Sequence, residues 1–186
     1  MPAEGGGPGC GAYILCGGAS RRMGRDKALL DFGGRPLALD LAARIAGALG
    51  TRAKLVGSPD RYGHLGLPVV ADLRADCGPL AGIEAALADS DFERNLILAC
   101  DMPTLSVEII ARLAAVPGDC VVAETPDGRM HPLCAVWPKK LLPLVQDALD
   151  RDLRRVLDAL REIDIVRLPI DRLVNANTPE EWATFA

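Results

Sequence analysis

Aromatic side chains and positive charge are both scarce in this chain. Phe, Trp and Tyr together make up 4% of its 186 residues, whereas proteins that bind single-stranded nucleic acid by base stacking need exposed rings. Lys and Arg number 21 against 25 Asp and Glu, which gives a formal net charge of −4. A chain with this balance has no general positive field that could hold a polyanion. The composition therefore argues against a nucleic-acid-binding protein, and any phosphate site must depend on local charge.

The chain also lacks long apolar runs and a recognisable leader. Arg, Asp, Lys or Glu interrupts every apolar stretch before it reaches the ~18 residues of a membrane span. Residues 1–11 contain no basic segment followed by an apolar one, as a secretory signal would. We therefore expect a cytoplasmic protein with no membrane partner, and a flexible, glycine-rich N-terminal segment over residues 1–11.

Metal-binding patterns of cysteine and histidine are missing as well. The six cysteines include no Cys-x-x-Cys pair, and the two histidines, His64 and His131, have no ligand partner at helix or knuckle spacing. Several cysteines, such as Cys16 and Cys100, lie in apolar runs. We expect buried structural thiols in a reducing compartment and no zinc site.

Alternating strand and helix patterns run through most of the chain. Apolar residues make up 49% of it, which is enough for a sizeable core, and short apolar runs bounded by Gly or polar residues predict strands. The predicted strands are Ala12–Cys16, Ala53–Gly57, Leu67–Ala71, Asn95–Cys100, Cys120–Ala123, Leu133–Trp137 and Ile163–Leu168. The predicted helices cover residues 36–49, 79–87, 106–115, 139–149 and 152–161, with a short last helix after Pro179.

This alternation predicts an α/β fold with a mainly parallel sheet covered by helices on both faces. No linker divides the chain, so we expect one domain over residues 12–186. Ligands of such sheets bind beyond the carboxyl ends of the strands, where the strand order reverses. Three predicted strand ends carry unusual chemistry, at Gly17–Lys27, Asp72–Gly82 and Asp101–Pro103.

The segment Gly17–Lys27 directly follows the first predicted strand. From Ser20 to Lys27 it carries four cations and one anion, a local charge of +3. Glycine amides can approach a phosphate closely, Arg contacts two phosphate oxygens at once and Lys supplies a point charge. Neither a dinucleotide-binding Gly pattern nor a P-loop is present. The segment therefore indicates a phosphate site of another kind; a solvated basic turn is the alternative interpretation.

Two acidic residues come directly after predicted strands. Asp101 follows an apolar run, where a charge must be paired or solvated, and Mg²⁺ in proteins takes one or two carboxylates together with phosphate oxygens and water. Asp101 is therefore a candidate Mg²⁺ ligand, and a turn or helix-capping Asp before Pro103 is the alternative. Asp72 repeats the pattern after Leu67–Ala71, and an ordinary strand-ending Asp is its alternative.

Two later motifs are weaker when each is taken alone. Gly78–Gly82 joins a Gly-Pro turn to small residues at a helix start, whose amides can contact an anion or a base edge. Asn175 and Asn177 precede a Thr-Pro helix cap and are available for a polar ligand. His131 has an ordinary interpretation as a turn residue ahead of a strand.

Together these motifs resemble the molybdenum cofactor guanylyltransferase family, within the sugar-nucleotide type of nucleotidyltransferases. The matching segments are Leu15–Gly18, Ser20–Gly24, Asp26–Lys27, Gly78–Gly82, Cys100–Pro103, His131–Pro132 and Asn175–Glu180, in the family's order and at about its spacing. The chain departs from the family's pattern at Cys16, where Ala is common. It also departs at Val56–Pro59, where the family often has an Asn for guanine.

The resemblance implies a single Rossmann-like domain with three α/β/α layers, of the nucleotide-diphospho-sugar transferase type. It implies an enzyme that transfers GMP from GTP to the phosphate of molybdenum-molybdopterin and releases pyrophosphate, with Mg²⁺ as its cofactor. The implied partners are these two substrates and, transiently, other molybdenum cofactor proteins. We expect a monomer or a weak oligomer.

The resemblance also implies a role for each matching residue. Lys27, Asp101 and Arg22 are the expected catalytic residues, and Asp101 is the expected metal ligand. The residues expected to bind the nucleotide are Leu15, Cys16, Gly17, Gly18, Ser20, Arg21, Gly24, Lys27, Gly57, Asp72, Gly78, Pro79, Leu80, Gly82 and Asp101. Those expected on the pterin side are His131, Asn175 and Asn177.

Two other functions fit part of these features. A cytidylyltransferase or another nucleotidyltransferase of the same fold is the nearest alternative. The Gly-Gly pair with Arg-Arg-Met-Gly-x-Asp-Lys favours the guanylyl branch, because cytidylyl relatives tend to carry an Ala-Gly and Asn-Lys version. A non-catalytic nucleotide-binding domain is the other alternative, and such a domain has no need of both Lys27 and Asp101.

Overall fold

The computed structural model describes residues 9–16, 26–161 and 163–173, and within them seven strands form one sheet on which six α-helices pack. The strands are β1 (Cys10–Leu15), β2 (Lys54–Val56), β3 (Val69–Val70), β4 (Arg94–Ala99), β5 (Cys120–Glu124), β6 (Met130–Pro138) and β7 (Ile165–Pro169). The helices are α1 (Leu37–Leu49), α2 (Pro59–Tyr62), α3 (Pro79–Asp89), α4 (Val107–Ala115), α5 (Leu142–Asp150) and α6 (Val156–Leu160). Short 3₁₀ turns cover Lys27–Leu29, Gly63–Leu65 and Lys139–Leu141.

The sheet has the strand order β3-β2-β1-β4-β6-β5-β7. All neighbouring strands are parallel except at β6, which is antiparallel to both β4 and β5. This confirms the predicted mainly parallel sheet. The chain builds outward from β1 in both directions, so the strand order reverses between β1 and β4. The carboxyl ends of these two strands are therefore the expected place for a ligand.

Two apolar clusters cover the two faces of the sheet. Successive residues of a strand point to opposite faces, and β1 divides in this way. Ile14 packs in one cluster with Leu41 of α1, whereas Tyr13 packs in the other with Ile83 of α3. The first cluster also includes α4, and the second includes α5 and α6. The predicted three layers are thereby confirmed.

The sequence pattern of α1 is confirmed almost residue by residue. Leu37, Leu41 and Ile45, spaced by four, are each at most 1% exposed, as expected for one face of a helix packed on a sheet. Pro36 precedes the first helical residue, and Gly50 ends the helix with a φ of 65°. Only glycine adopts this left-handed conformation without steric cost, which explains the stop.

The predicted helix over residues 152–161 is wrong in its first half. Helix α5 ends at Asp150, and Asp152 has a φ of 59°, outside the helical region. The amides of Asp152 and Leu153 donate back to Leu149 and Ala148 at 3.0 and 2.9 Å. These bonds close α5 and turn the chain, so α6 begins only at Val156.

Other element bounds also differ from the predictions. Strand β6 begins at Met130, so His131 lies inside the strand rather than in a turn ahead of it. Strand β1 begins at Cys10, within the N-terminal segment assigned to residues 1–11. The predicted last helix after Pro179 lies outside the described residues. None of the helices in the described parts of the chain is long and apolar enough to cross a membrane.

Candidate functional site

A cleft of about 790 Å³ opens at the carboxyl ends of β1, β2 and β4, where the strand order reverses. Eight of the predicted site residues line it: Leu15, Cys16, Lys27, Asp72, Gly78, Pro79, Gly82 and Asp101. They come from four separate parts of the chain, so the fold brings them together. The volume falls in the range of small-molecule and cofactor sites.

Lys27 and Asp101 form an ion pair in this cleft. Lys27 begins the 3₁₀ turn Lys27–Leu29, and Asp101 follows β4. The Lys27 Nζ and Asp101 Oδ2 atoms are 3.4 Å apart, and the side chains are 15% and 18% exposed. A pair this enclosed is screened less by solvent than one on the surface. The cleft therefore contains an ammonium group that can bind phosphate beside a carboxylate that can bind a metal ion.

Both carboxylate oxygens of Asp26, next to Lys27, accept hydrogen bonds from other residues of the chain. Its Oδ1 accepts a hydrogen bond from the Ala28 amide at 3.1 Å and so caps the turn. Its Oδ2 accepts one from the Tyr62 hydroxyl at 2.8 Å, and Arg61 Nη1 lies 3.4 Å from the same oxygen. Asp26 therefore acts as a structural carboxylate at the start of the turn.

Tyr62, the last residue of α2, was missed by sequence reasoning. Its side chain is 1% exposed, and its hydroxyl also donates to the carbonyl oxygen of Cys16. Burial, followed by the neighbouring Asp26, raises the pKa of Tyr62 well above its ordinary value. The hydroxyl therefore keeps its proton at neutral pH. The one sequence cue was an aromatic residue shortly after the Ser-Pro helix start.

The start of α3 forms another wall of the cleft. Gly78 precedes the helix with a φ of 72°, and Pro79 is its first residue. A Cβ built on Gly82 would lie 3.2 Å from the Leu15 side chain. The small residues therefore let α3 pack closely against the end of β1, whereas the predicted contact of the helix-start amides with an anion or a base edge stays a prediction. Burial raises the pKa of the nearby Asp72 carboxyl.

Two predicted nucleotide-binding residues lie outside the lining of the cleft. Leu80 and Gly57, both in the described part of the chain, do not line the cleft. Leu80 is fully buried in the apolar cluster, because the second residue of α3 faces the sheet. Gly57 extends the pairing of β2 and β3, since its amide donates to the Val70 carbonyl at 2.9 Å. The Leu80 side chain is therefore not placed to contact a ligand in the cleft, and the Gly57 amide already pairs within the sheet.

Two arginines that sequence reasoning missed also line the cleft. Arg74 is paired with Glu84 of α3 at 3.1 Å and with Asp150 at the end of α5 at 2.6 Å. Arg154 donates to the Asp76 carbonyl at 3.0 Å. These contacts link the segment that contains Arg74 and Asp76, before α3, to α3, to α5 and to the connection after α5. The adjacent basic pair at 154–155 was the one cue in the sequence.

His131 lies near the start of β6, two residues before Leu133, which lines the cleft. The residue is 6% exposed, and its Nε2 is 3.0 Å from Thr125 Oγ1. Thr125 also donates to Asp127 Oδ1 at 2.6 Å. Burial lowers the pKa of His131, so the ring is neutral at pH 7. The contact with Thr125 fixes the ring, on β6, against the β5–β6 connection.

Several expected site residues lie outside the described residues. They are Gly17, Gly18, Ser20, Arg21, Arg22, Gly24, Asn175 and Asn177. Their expected roles stay predictions.

The donor set in the cleft fits a metal that is held jointly with a ligand. Within residues 9–16, 26–161 and 163–173, no group of three or more His, Cys, Asp or Glu residues is placed to hold a metal ion. Asp101 offers a single carboxylate beside the space of the cleft. Mg²⁺ commonly takes one or two carboxylates and completes its shell with phosphates and water. Asp101 therefore fits that cation as a single carboxylate ligand.

Residues 12–163 match the model of the MobA-like NTP transferase domain. The chain belongs to this family. The match covers β1 to α6 and thus every described element that forms the cleft. It confirms the resemblance identified from the motifs.

Curated members of the family are similar over almost their whole length. A probable molybdenum cofactor guanylyltransferase of Flavobacterium johnsoniae is 33% identical over 178 residues, which cover 91% of this chain and 92% of that protein. A molybdenum cofactor guanylyltransferase of Rhodopseudomonas palustris is 36% identical over 202 residues, with 95% and 92% covered.

Solved structures of the same fold confirm the architecture. Molybdopterin-guanine dinucleotide biosynthesis protein A from Archaeoglobus fulgidus superposes with a TM-score of 0.78 at 21% identity and covers 93% of this chain and 95% of its own. A CMP:2-keto-3-deoxy-manno-octonic acid synthetase complexed with CTP superposes with a TM-score of 0.72 at 12% identity, with 95% and 96% covered. At these identities the likeness concerns the fold.

Proposed function

We propose that this member of the family transfers GMP from GTP to the phosphate of molybdenum-molybdopterin and releases pyrophosphate. The observation that carries the proposal is the Lys27–Asp101 pair, 3.4 Å apart in a cleft at the switch point of the sheet. The names of the relatives, molybdenum cofactor guanylyltransferases at similar length, support the choice of substrates.

The proposed reaction requires alignment of the two substrates and stabilisation of the charge that develops in the transition state. An oxygen of the acceptor phosphate forms a bond to the α-phosphorus of GTP, while the bond from that phosphorus to the α–β bridging oxygen breaks. The electron pair leaves with pyrophosphate. Because the attacking oxygen is already ionised at pH 7, no general base is required. The protein contributes mainly by aligning the reactants and stabilising the charge of the transition state.

Among the residues that the structure describes, Lys27 is best placed to stabilise this charge. Its ammonium group can donate to phosphate oxygens of the nucleotide and stabilise the charge that moves to the leaving group. Asp101 would hold Mg²⁺, which when bound neutralises charge on the α-phosphate and the leaving pyrophosphate. Arg74 and Arg154 also line the cleft, and both are paired with carboxylates of the chain. We place the pterin beside His131, Asn175 and Asn177, and expect the product to pass to other molybdenum cofactor proteins through transient contacts.

The test is product formation with each of four nucleotides. The purified protein is incubated with Mg²⁺, molybdenum-molybdopterin and GTP, CTP, ATP or UTP, and the dinucleotide product and pyrophosphate are quantified. We expect product with GTP and none after chelation of Mg²⁺. Product with CTP instead would establish a cytidylyltransferase. Thermal stabilisation by nucleotides without turnover of any of them would establish a binding domain.

A further inference from the structure

The hydroxyl of Tyr62 joins two points of the chain in the lining of the cleft, next to the Lys27–Asp101 pair. It contacts the carbonyl oxygen of Cys16, directly after β1, and lies 2.8 Å from Asp26 Oδ2, directly before Lys27. In sequence these partners lie 46 and 36 residues away from Tyr62. The single hydroxyl proton is shared between two acceptors, so one side chain ties both points to α2.

The contact continues from Asp26 to the ion pair. Asp26 Oδ1 accepts from the Ala28 amide at 3.1 Å and thereby sets the first turn of Lys27–Leu29. Lys27 is the first residue of that turn, and its Nζ lies 3.4 Å from Asp101 Oδ2. A shift of Asp26 would therefore be passed to the ammonium group of Lys27.

We propose that Tyr62 is a positioning residue for Lys27. Its hydroxyl holds Asp26 against the end of β1 and so keeps the Lys27 ammonium beside Asp101 in the geometry that transfer requires. The inference rests on the proposed function, because it assigns Tyr62 a part in that reaction. Tyr62 acts through Asp26 and Lys27.

The burial of Tyr62 supports a role for its hydroxyl beyond packing. The side chain is 1% exposed and lies in the apolar cluster with Ile14 and Leu41. A phenylalanine ring would fill the same space, and burying a hydroxyl costs free energy unless it is hydrogen-bonded. Since the raised pKa of Tyr62 keeps the hydroxyl protonated, it remains a donor over the whole working range of pH.

The chain supplies a matched control in its other tyrosine. Tyr13 is 2% exposed, and its hydroxyl donates to Asp89 Oδ2 at 3.0 Å, at the end of α3 away from the cleft. Tyr62→Phe and Tyr13→Phe therefore each remove one buried hydroxyl bonded to an aspartate. We expect kcat to fall about tenfold in Tyr62→Phe, as for a small misplacement of a catalytic group, and to stay unchanged in Tyr13→Phe. Equal kcat in the two variants would overturn the inference.

A double-mutant cycle tests whether Tyr62 acts through Lys27. In the Lys27→Ala background we expect Tyr62→Phe to cause no further loss of kcat, because the group that it positions is gone. A general structural defect would instead lower kcat by the same factor in both backgrounds, and that result would contradict the positioning role.

Amide hydrogen exchange separates this inference from the proposed function. We expect the Ala28 amide, capped by Asp26, to exchange faster in Tyr62→Phe than in Tyr13→Phe. If the wild-type protein makes no product from GTP, the proposed function fails, and the exchange rate alone decides whether Tyr62 sets the turn. An unchanged exchange rate at Ala28 would overturn the inference whatever the activity.

Discussion

At the scale of single residues, two aspartates of the cleft, Asp26 and Asp101, differ in the contacts that the structure shows. Asp26 gives one oxygen to the Ala28 amide and the other to Tyr62, so it shapes the chain. Asp101 faces the cleft with Lys27 at 3.4 Å, so a ligand or metal can enter beside this pair. Two aspartates that look alike in the sequence thus differ in their surroundings, because Asp26 caps a turn and Asp101 forms an ion pair with Lys27 in the cleft.

We predict that Lys27→Ala lowers kcat about 100-fold, the usual effect of removing one group that stabilises transition-state charge. KM for GTP should change much less than kcat. Lys140→Ala is the charge-matched control, because Lys140 pairs with Asp119 at 2.7 Å and its side chain is 59% exposed. Steady-state kinetics with varied GTP measure both variants. Unchanged kcat and kcat/KM in Lys27→Ala would remove Lys27 from the mechanism.

Sequence motifs predicted the residues that approach the cleft from strand ends, such as Lys27, Asp72 and Asp101. These residues stand out because their local segments are unusual. Tyr62 and Arg74 could not be found in this way, since their importance depends on partners up to 76 residues away. Leu80 was assigned to the nucleotide as part of a motif, although its side chain is directed into the core.

At the scale of elements, strong periodic patterns predicted the structure well and local irregularities did not. Helix α1 follows its pattern of buried residues every fourth position and its terminal glycine. The region after α5 differs, because Asp152 leaves the helical conformation. A non-glycine residue rarely adopts positive φ, so no sequence rule would have placed the break there. A local contact of Arg154 with Asp152 and a tertiary contact of Arg154 with Asp76 accompany it.

Two glycines of the α1 region give a prediction at this scale. Gly50→Ala should lower the free energy of unfolding by about 1 kcal/mol, because Gly50 has a φ of 65°. Gly47→Ala is the matched control: Gly47 lies within the helix, and nothing within 4 Å meets an added Cβ. It should raise the free energy of unfolding by about 0.5–1 kcal/mol through helix propensity.

Urea unfolding of both glycine variants measures these changes. Both positions lie outside the cleft lining, so activity should stay at the wild-type level in each. Stabilisation by Gly50→Ala would show that the helix does not end in the left-handed conformation.

At the scale of the whole molecule, the buried His131 predicts how stability depends on pH. Burial lowers its pKa in the folded state, so the unfolded chain binds a proton near pH 6.5 that the folded chain does not. The free energy of unfolding should therefore fall as pH decreases through about 6.5, until the folded-state pKa is reached.

His131→Gln should weaken this dependence between pH 7 and pH 5. His64→Gln is the control, because His64 is exposed and the wild-type pH dependence should persist in that variant. Unfolding free energies from urea titrations at several pH values give the comparison. Identical pH profiles for wild type and His131→Gln would contradict the prediction.

Strand β6, the one antiparallel strand of the sheet in the described part of the chain, separates two parts of the edge at which the cleft opens. Strands β1, β2 and β4 are parallel to one another and all end at the cleft. The segments after β1 and β4 therefore line the cleft before the chain crosses back over the sheet. Beyond β4, the same edge of the sheet is formed by the start of β6 and the short turn that joins β5 to β6. That turn can lengthen or change sequence without altering the register of β1 with β4. The part of the cleft built by β1, β2 and β4 can therefore stay constant while the length and sequence of the β5–β6 turn vary.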